Sequence, residues 1–338
     1  MEDLAHRFRM FAEKECHGSS KLYEHLSRRV AEDSELLRLA ARSRPGQPAP
    51  NLLLGAVHFL LLQGTKEPLA DFYPTLSKMP RAAEEAFPSF REFCSRRESE
   101  LVPLLETKRV QTNEVLRCAY LYPSFCRIYR MAGKPLALIE IGTSAGLQLA
   151  WDRYRYVYPG GNAYGSKRSD LELASEIRGG KAPFLLEESP PVSTRIGLDL
   201  KVVDLEDAEE SLWLKALIWP EQADRLKRFE QAAARRKEVP MRLMEGDGIS
   251  MLAEAARSVE PKSALCIFHT HVANQIPPEG IQRLIDEVRA IGRTRDVYHL
   301  YNNIRDPDLH LEAFINGRWQ HETLARTDGH GRWFEWLV

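Results

Sequence analysis

Hydrophobic and polar positions change period along the chain, and the changes outline its elements. From residue 1 to about 130 the apolar positions recur at helical spacing. Leu4, Phe8, Phe11 and Ala12 mark one stripe, Leu22, Leu26 and Val30 a second, and Leu36, Leu37, Ala40 and Ala41 continue it. A Pro- and Gly-rich break runs from Ser43 to Pro50. Leu52 to Gln63 predicts a buried helix, and Phe90 to Glu106 and Asn113 to Met131 predict further helical runs. Beyond Lys134 come short β-compatible runs: Leu136–Ile141, continuously apolar as expected of a strand buried on both faces, then Thr194–Asp199, Met241–Asp247, the strand that opens Ser263–Pro278, and Val297–Asn303. Helical spacing separates several of them, at Ser211 to Trp219, around Leu226, Phe229, Ala232 and Ala233, at Ile249 to Val259, and at Glu279 to Ile291. Leu309–Ile315, Arg318–Ala325 and Trp333–Val338 then alternate as antiparallel strands, with turns at Asn316-Gly317 and Asp328-Gly329-His330-Gly331. The pattern predicts a helical domain over 1–130 and an α/β domain over 131–338, with parallel strands followed by antiparallel ones. An insertion at about 159–192 holds a possible strand from Asp170 to Ile177.

The stretch Leu136 to Trp151 organises the rest. Its strand meets Glu140, then Gly142 and Gly146, and then Leu147, Ala150, Trp151 and Tyr154 at helical spacing. This predicts strand, tight glycine turn and helix, a geometry that offers backbone N–H groups and a helix N-terminus to a ligand. The acidic-x-Gly-x-x-x-Gly run resembles the first motif of class I S-adenosylmethionine-dependent methyltransferases and lacks the three-glycine spacing of a nicotinamide or flavin fingerprint. That resemblance implies a Rossmann-like sheet that binds S-adenosylmethionine, with Glu140, Gly142, Thr143, Ser144 and Gly146 at the motif. Asp199, closing the second strand, has two acceptor oxygens suited to a ribose diol, and Asp204 is its alternative. Its separation from Gly146 exceeds the usual one of roughly 20 residues. Asp247, followed by Gly248, stands where the family accepts a hydrogen bond from the adenine amino group, and is equally placed to cap a helix.

The fourth strand ends in His269-Thr270-His271, with Asn274 in the loop that follows. Extended chain would point His269 and His271 to one side. They are candidates for orienting or deprotonating an acceptor, for half of a metal site completed by His299 or His310, or for structural hydrogen bonds. No third protein ligand for a metal is obvious in the sequence. Thr112 would cap the helix before the first strand; alternatively Asn113, Glu114 and Arg117 face the cofactor pocket. An Asn-Pro-Pro-aromatic signature is absent, which argues against the adenine-N6 DNA enzymes.

Composition narrows the class without choosing within it. The chain has 338 residues, 43% hydrophobic and 28% charged, with formal net charge −1, which supplies no general drive toward nucleic acid or membrane. The basic run between Arg225 and Lys237 reads as a solvated helix face. Cys16, Cys94, Cys118, Cys126 and Cys266 form no CxxC pair, as expected of reduced thiols in the cytoplasm. Leu52 to Leu62 is too short to span a bilayer. The ordered set EIGTSAGL, RIGLDL, WLKALIWPEQADRL, EGDG and FHTHVANQIP resembles a bacterial family catalogued as domain of unknown function 2332, itself similar in fold to the methyltransferases. The expectation is a methyltransferase for a small-molecule acceptor. The alternatives are a non-catalytic binding module and a metal-assisted hydrolase using His269 and His271.

Overall fold

A computed structural model describes residues 1–64 and 66–338. The chain divides into two compact units, one of Met1–Thr112 with Asp204–Lys227, the other of Asn113–Val203 with Arg228–Val338. The sequence placed a boundary at 130/131. The helix Cys118–Ala132 instead groups with the sheet, and residues 204–227 group with the amino-terminal helices.

The first unit is helical. Ser20, Asp33 and Asp207 accept from backbone N–H groups in the first turns of Lys21–Val30, Ser34–Ala40 and Ala208–Ala216. The apolar run becomes the helix Ala49–Leu62, buried at nearly every residue. His58 sits inside it, with Nδ1–H donating to the Ala216 carbonyl at 3.0 Å and Nε2 accepting from the Thr75 hydroxyl at 2.8 Å. Burial pushes its imidazole down to about 4. The stretch Phe90 to Glu106 spans parts of two helices, Ala86–Arg96 and Glu98–Thr107, which meet at Arg97.

The second unit is a mixed α/β structure around a large, mostly parallel sheet. Its strands are β1 Leu136–Ile141, β2 Arg155–Val157, β3 Ala163–Gly165, β4 Glu172–Ala174, β5 Glu176–Arg178 and β6 Val192–Asp199. They continue with β7 Arg242–Glu245, β8 Ala264–His269, β9 Val297–Tyr301, β10 Leu309–Ile315, β11 Arg318–Thr327 and β12 Trp333–Trp336. Among the described residues nine strands order as β5-β12-β11-β10-β9-β8-β1-β6-β7, and β3-β2-β4 form a small second sheet. β7, β6, β1, β8 and β9 are mutually parallel, while β10, β11 and β12 add to β9 as an antiparallel meander. Every residue of β1, β8 and β9 is buried, which is why their sequences are mainly apolar rather than alternating, with Glu140, His269 and His299 as buried polar residues within them. One face packs Ile139, Ile141, Leu265 and Ile267 against Leu252, Leu284 and Val288 from the helices Gly248–Arg257 and Pro278–Gly292. Asn316 (φ 51°) and Gly317 (φ 75°) make the tight β10–β11 turn that Asn-Gly favours.

Two expectations are corrected here. The helix expected after Gly146 is a six-residue 3-10 segment, Gln148–Arg153, that runs straight into β2. Residues 145–151 are all buried, so the segment has no wet face. The hydroxyls of Tyr154 and Tyr156 close it by donating to the Leu147 and Trp151 carbonyls at 2.6 Å. The insertion is also more ordered than its sequence suggests. β3 and β4 flank β2, and β5 extends the main sheet beside β12.

Candidate functional site

The chain runs from β1 outward to β6 and β7, then returns to β8 and β9 on the other side of β1. Ligand crevices in open α/β sheets lie outside the carboxyl ends of strands at such a reversal. Backbone strain gathers at these tips. Four non-glycine residues have φ in the left-handed region among those described, and three follow the parallel strands: Ser144 (49°) after β1, His271 (54°) after β8 and Asn303 (64°) after β9. The fourth is Asn316 of the hairpin. Left-handed backbone at polar residues is costly and tends to persist where a site is being shaped.

On the β1 side, Glu140 is buried and accepts a 2.7 Å hydrogen bond from the Thr143 hydroxyl. Burial raises its carboxyl to about 8, the Thr143 bond opposes the rise and the Asp199 charge adds to it. The turn amides are already engaged. Those of Gly142 and Thr143 donate to the Leu198 carbonyl, that of Gly146 to the Thr143 carbonyl, and that of Ser144 to Asp199 Oδ2 at 2.7 Å. Asp199 Oδ1 accepts from the Lys201 amide. A Cβ on Gly142 would lie 2.4 Å from Val272 Cγ2, and one on Gly146 would lie 2.6 Å from Met241 Sδ. The expectation of open amides at a helix N-terminus is therefore overturned: the glycines serve close packing inside the protein. Asp247 is exposed and caps the helix Gly248–Arg257, accepting from the Ile249 amide and the Ser250 hydroxyl. Gly248 is buried against Ile141 and Leu198. What survives is a row of carboxylates. Glu140, Asp199 and Asp247 stand at the carboxyl ends of β1, β6 and β7, with Glu140 level with Gly197 and Asp199 level with Glu245.

On the other side, His269 and His271 part company. β8 ends at His269, and the left-handed backbone of His271 breaks the alternation that would have aligned the two rings. His269 is fully buried, its Nε2 3.3 Å from Nε2 of His299, and its Nδ1 makes no hydrogen bond among the described residues. Burial lowers it to about 4. His271 stays at the edge. Its backbone N–H donates to Asn302 Oδ1 at 2.8 Å, and its ring nitrogens lie 3.4 Å from Asn302 Nδ2 and 3.3 Å from Asn303 Nδ2. Because Asn302 Oδ1 is committed, its amide donates toward Nε2, which makes Nε2 the acceptor and Nδ1 the protonated nitrogen. Burial and the Arg117 charge hold this imidazole neutral, near 4. Beneath it Gln148 and Thr270 bond each other at 3.1 Å. Asn274 is exposed on the single turn Ala273–Gln275. No group of three or more His, Cys, Asp or Glu among the described residues is placed to hold a metal ion.

A third wall comes from the segment before β1 and the β11–β12 loop. Asn113 Nδ2 donates to Ser144 Oγ at 3.1 Å. Glu114, rather than Thr112, is the cap, accepting from the Leu116 amide, and its other oxygen meets His330 Nδ1 at 3.2 Å. Arg117 Nε donates to the Gly329 carbonyl at 2.8 Å. Asp328 is partly buried, yet the Arg332 guanidinium and backbone amides hold it down at about 2. Asn302 and Asn303 close the fifth strand with polar residues that could face an acceptor, whereas His330 and Tyr120 carried no signal beyond turn or helix interior. Gly331 seats the loop, since at φ 76° a Cβ would stand 2.5 Å from the Leu116 carbonyl oxygen. Gly331→Ala should lift residues 328–331 and destabilise the fold by about 2 kcal/mol or more. Denaturant midpoints and hydrogen exchange in that loop check this, and an unchanged midpoint would contradict it.

Residues 5–336 match the model of a family described as an uncharacterized protein conserved in bacteria, DUF2332. Neither the curated proteins nor the solved structures contain a significant match. No described helix is long and apolar enough to cross a membrane.

Proposed function

The chain belongs to the DUF2332 family, and we propose that it is an S-adenosylmethionine-dependent methyltransferase with a Rossmann-like sheet, acting on a small-molecule acceptor. One observation carries the reading. Carboxylates tip β1, β6 and β7, strained polar residues tip β8 and β9, and strand order reverses between the two groups. Numbered along the chain, the parallel strands run 3-2-1-4-5, the doubly wound order. Asp199 would accept from the ribose diol, Asp247 from the adenine amino group and Glu140 from the ammonium. Bound adenosylmethionine supplies an electrophilic methyl group on a sulfonium sulfur. The chain contributes placement, which in an in-line displacement supplies much of the acceleration. Neutral His271, its Nε2 held by the Asn302 amide, would orient the acceptor through its Nδ1–H.

Calorimetry with the whole chain tests this. Saturable adenosylmethionine binding is expected, weakened at least tenfold by Asp199→Asn, which keeps one acceptor oxygen for Ser144. Undetectable binding at millimolar ligand defeats the reading. The closed glycine turn favours a second reading, a non-catalytic module that keeps the fold. His271→Ala separates the two, because an enzyme loses turnover and keeps cofactor affinity, whereas a module has no turnover to lose.

A further inference from the structure

The same edge holds a buried guanidinium with no carboxylate partner and a buried hydroxyl with no acceptor, beside a buried side-chain amide. Arg117 is 7% exposed, yet no carboxylate pairs with its guanidinium among the described residues, and its side chain makes one hydrogen bond, from Nε to the Gly329 carbonyl. Glu114, a neighbour on the same turn, directs its oxygens to the Leu116 amide and His330, and Asp328 is committed to Arg332 at 2.8 and 2.9 Å. The Tyr120 hydroxyl is fully buried near the Asn302 amide and makes no hydrogen bond of good geometry. Asn302 is itself fully buried, and its Nδ2 reaches a ring nitrogen of His271 only at 3.4 Å. A buried guanidinium normally has an anion beside it, and buried hydroxyls and amides normally have partners. We infer that this edge holds a ligand carboxylate between the Arg117 guanidinium, the Tyr120 hydroxyl and the Asn302 side-chain amide. The planar fork of arginine matches a carboxylate's two oxygens. With one cation available and the carboxylates of Glu114 and Asp328 nearby, a monoanion suits the site better than a phosphate dianion. The inference rests on reading the strand tips as a ligand site. The carboxylate belongs either to adenosylmethionine or to the acceptor.

Thermal-shift and calorimetric titrations of the whole chain decide. The probes are acetate, phosphate, S-adenosylmethionine and 5′-methylthioadenosine, which lacks the amino-acid part. The variants are Arg117→Met and Tyr120→Phe. Tyr120→Phe loses no hydrogen bond, so its melting temperature should equal or exceed the wild type's, which keeps the test valid if Arg117→Met fails to fold. At constant ionic strength acetate should stabilise the wild type saturably, with a midpoint at least tenfold higher in Arg117→Met and several-fold higher in Tyr120→Phe, and phosphate should not. A tenfold loss of adenosylmethionine affinity in Arg117→Met, with methylthioadenosine unaffected, assigns the carboxylate to the cofactor. Equal adenosylmethionine affinity with a lost acetate response assigns it to the acceptor. An acetate response without adenosylmethionine binding sinks the methyl-transfer reading and leaves the subsite standing. Acetate responses equal in wild type and variants, or absent in the wild type with adenosylmethionine affinity unchanged by substitution, overturn the inference.

Discussion

Glu140→Gln should leave the second unit more stable than the wild type above pH 8, by on the order of 4 kcal/mol relative to the difference between the two proteins at pH 4.5. The carboxyl is raised from an ordinary value of 4.5 to about 8 in the fold, with burial the main cause. The folded chain therefore keeps a proton that the unfolded chain has already lost. The Glu140 contribution to stability is greatest below about pH 4.5, falls by about 1.4 kcal/mol per pH unit through the window between the two values, and levels off above about 8. Glutamine has the same shape, can still accept from the Thr143 hydroxyl at its amide oxygen, and has no proton to lose. The two stability–pH curves should diverge steadily from pH 5 to 8. Parallel curves would show that Glu140 ionises in the fold as readily as a free carboxylate. A group held at this tension is also suited to a cationic ligand, whose charge would replace the proton.

The sheet was legible because its signal is local. β1, β8 and β9 are buried on both faces and so read as mainly apolar rather than alternating runs, and Asn316-Gly317 can be recognised from two residues alone. The site was legible only to the level of which strand tips carry acids. Whether the glycine turn is open depends on Val272 and Met241, more than 90 residues downstream, and no local pattern announces them. The alternation of His269 and His271 failed because the strand stops between them. Arg117 was legible as a residue before the first strand that could face a pocket, whereas Tyr120 lies where a helical stripe reads as core and only its missing partner marks it out. The WPEQ run shows the opposite case, a distinctive motif with a structural role. Glu221 accepts from the Ser20 hydroxyl at 2.7 Å and the Leu22 amide at 2.9 Å, which ties down the start of the helix Lys21–Val30, while Trp219 packs against Phe11 and Tyr23.

Acid should loosen β8 and β9 before it titrates most carboxylates, and a paired substitution should prevent this. His269 and His299 are buried, bonded through their Nε2 atoms at 3.3 Å and held neutral. Burial lowers His269 to about 4, and burial together with the charge of His269 sets His299 well below its ordinary value. In the unfolded chain both take up protons near 6.5. The unfolded state thus binds more protons as pH falls through 6.5, and stability drops by about 1.4 kcal/mol per pH unit for each ring, so that His269 alone accounts for about 3 kcal/mol by pH 4. One imidazole must donate to the other, so removing a single ring leaves a buried nitrogen without its partner. His269→Leu should therefore cost about 1–3 kcal/mol at neutral pH beyond its effect on packing. Replacing both rings by leucine removes donor and acceptor together, and the double variant should be less destabilised than the sum of the single ones. It should also keep more of its neutral-pH stability at pH 4.5. Hydrogen exchange of the β8 and β9 amides between pH 4.5 and 7 reads this directly. If the double variant loses protection over that range as steeply as the wild type, the acid sensitivity of these strands has another origin.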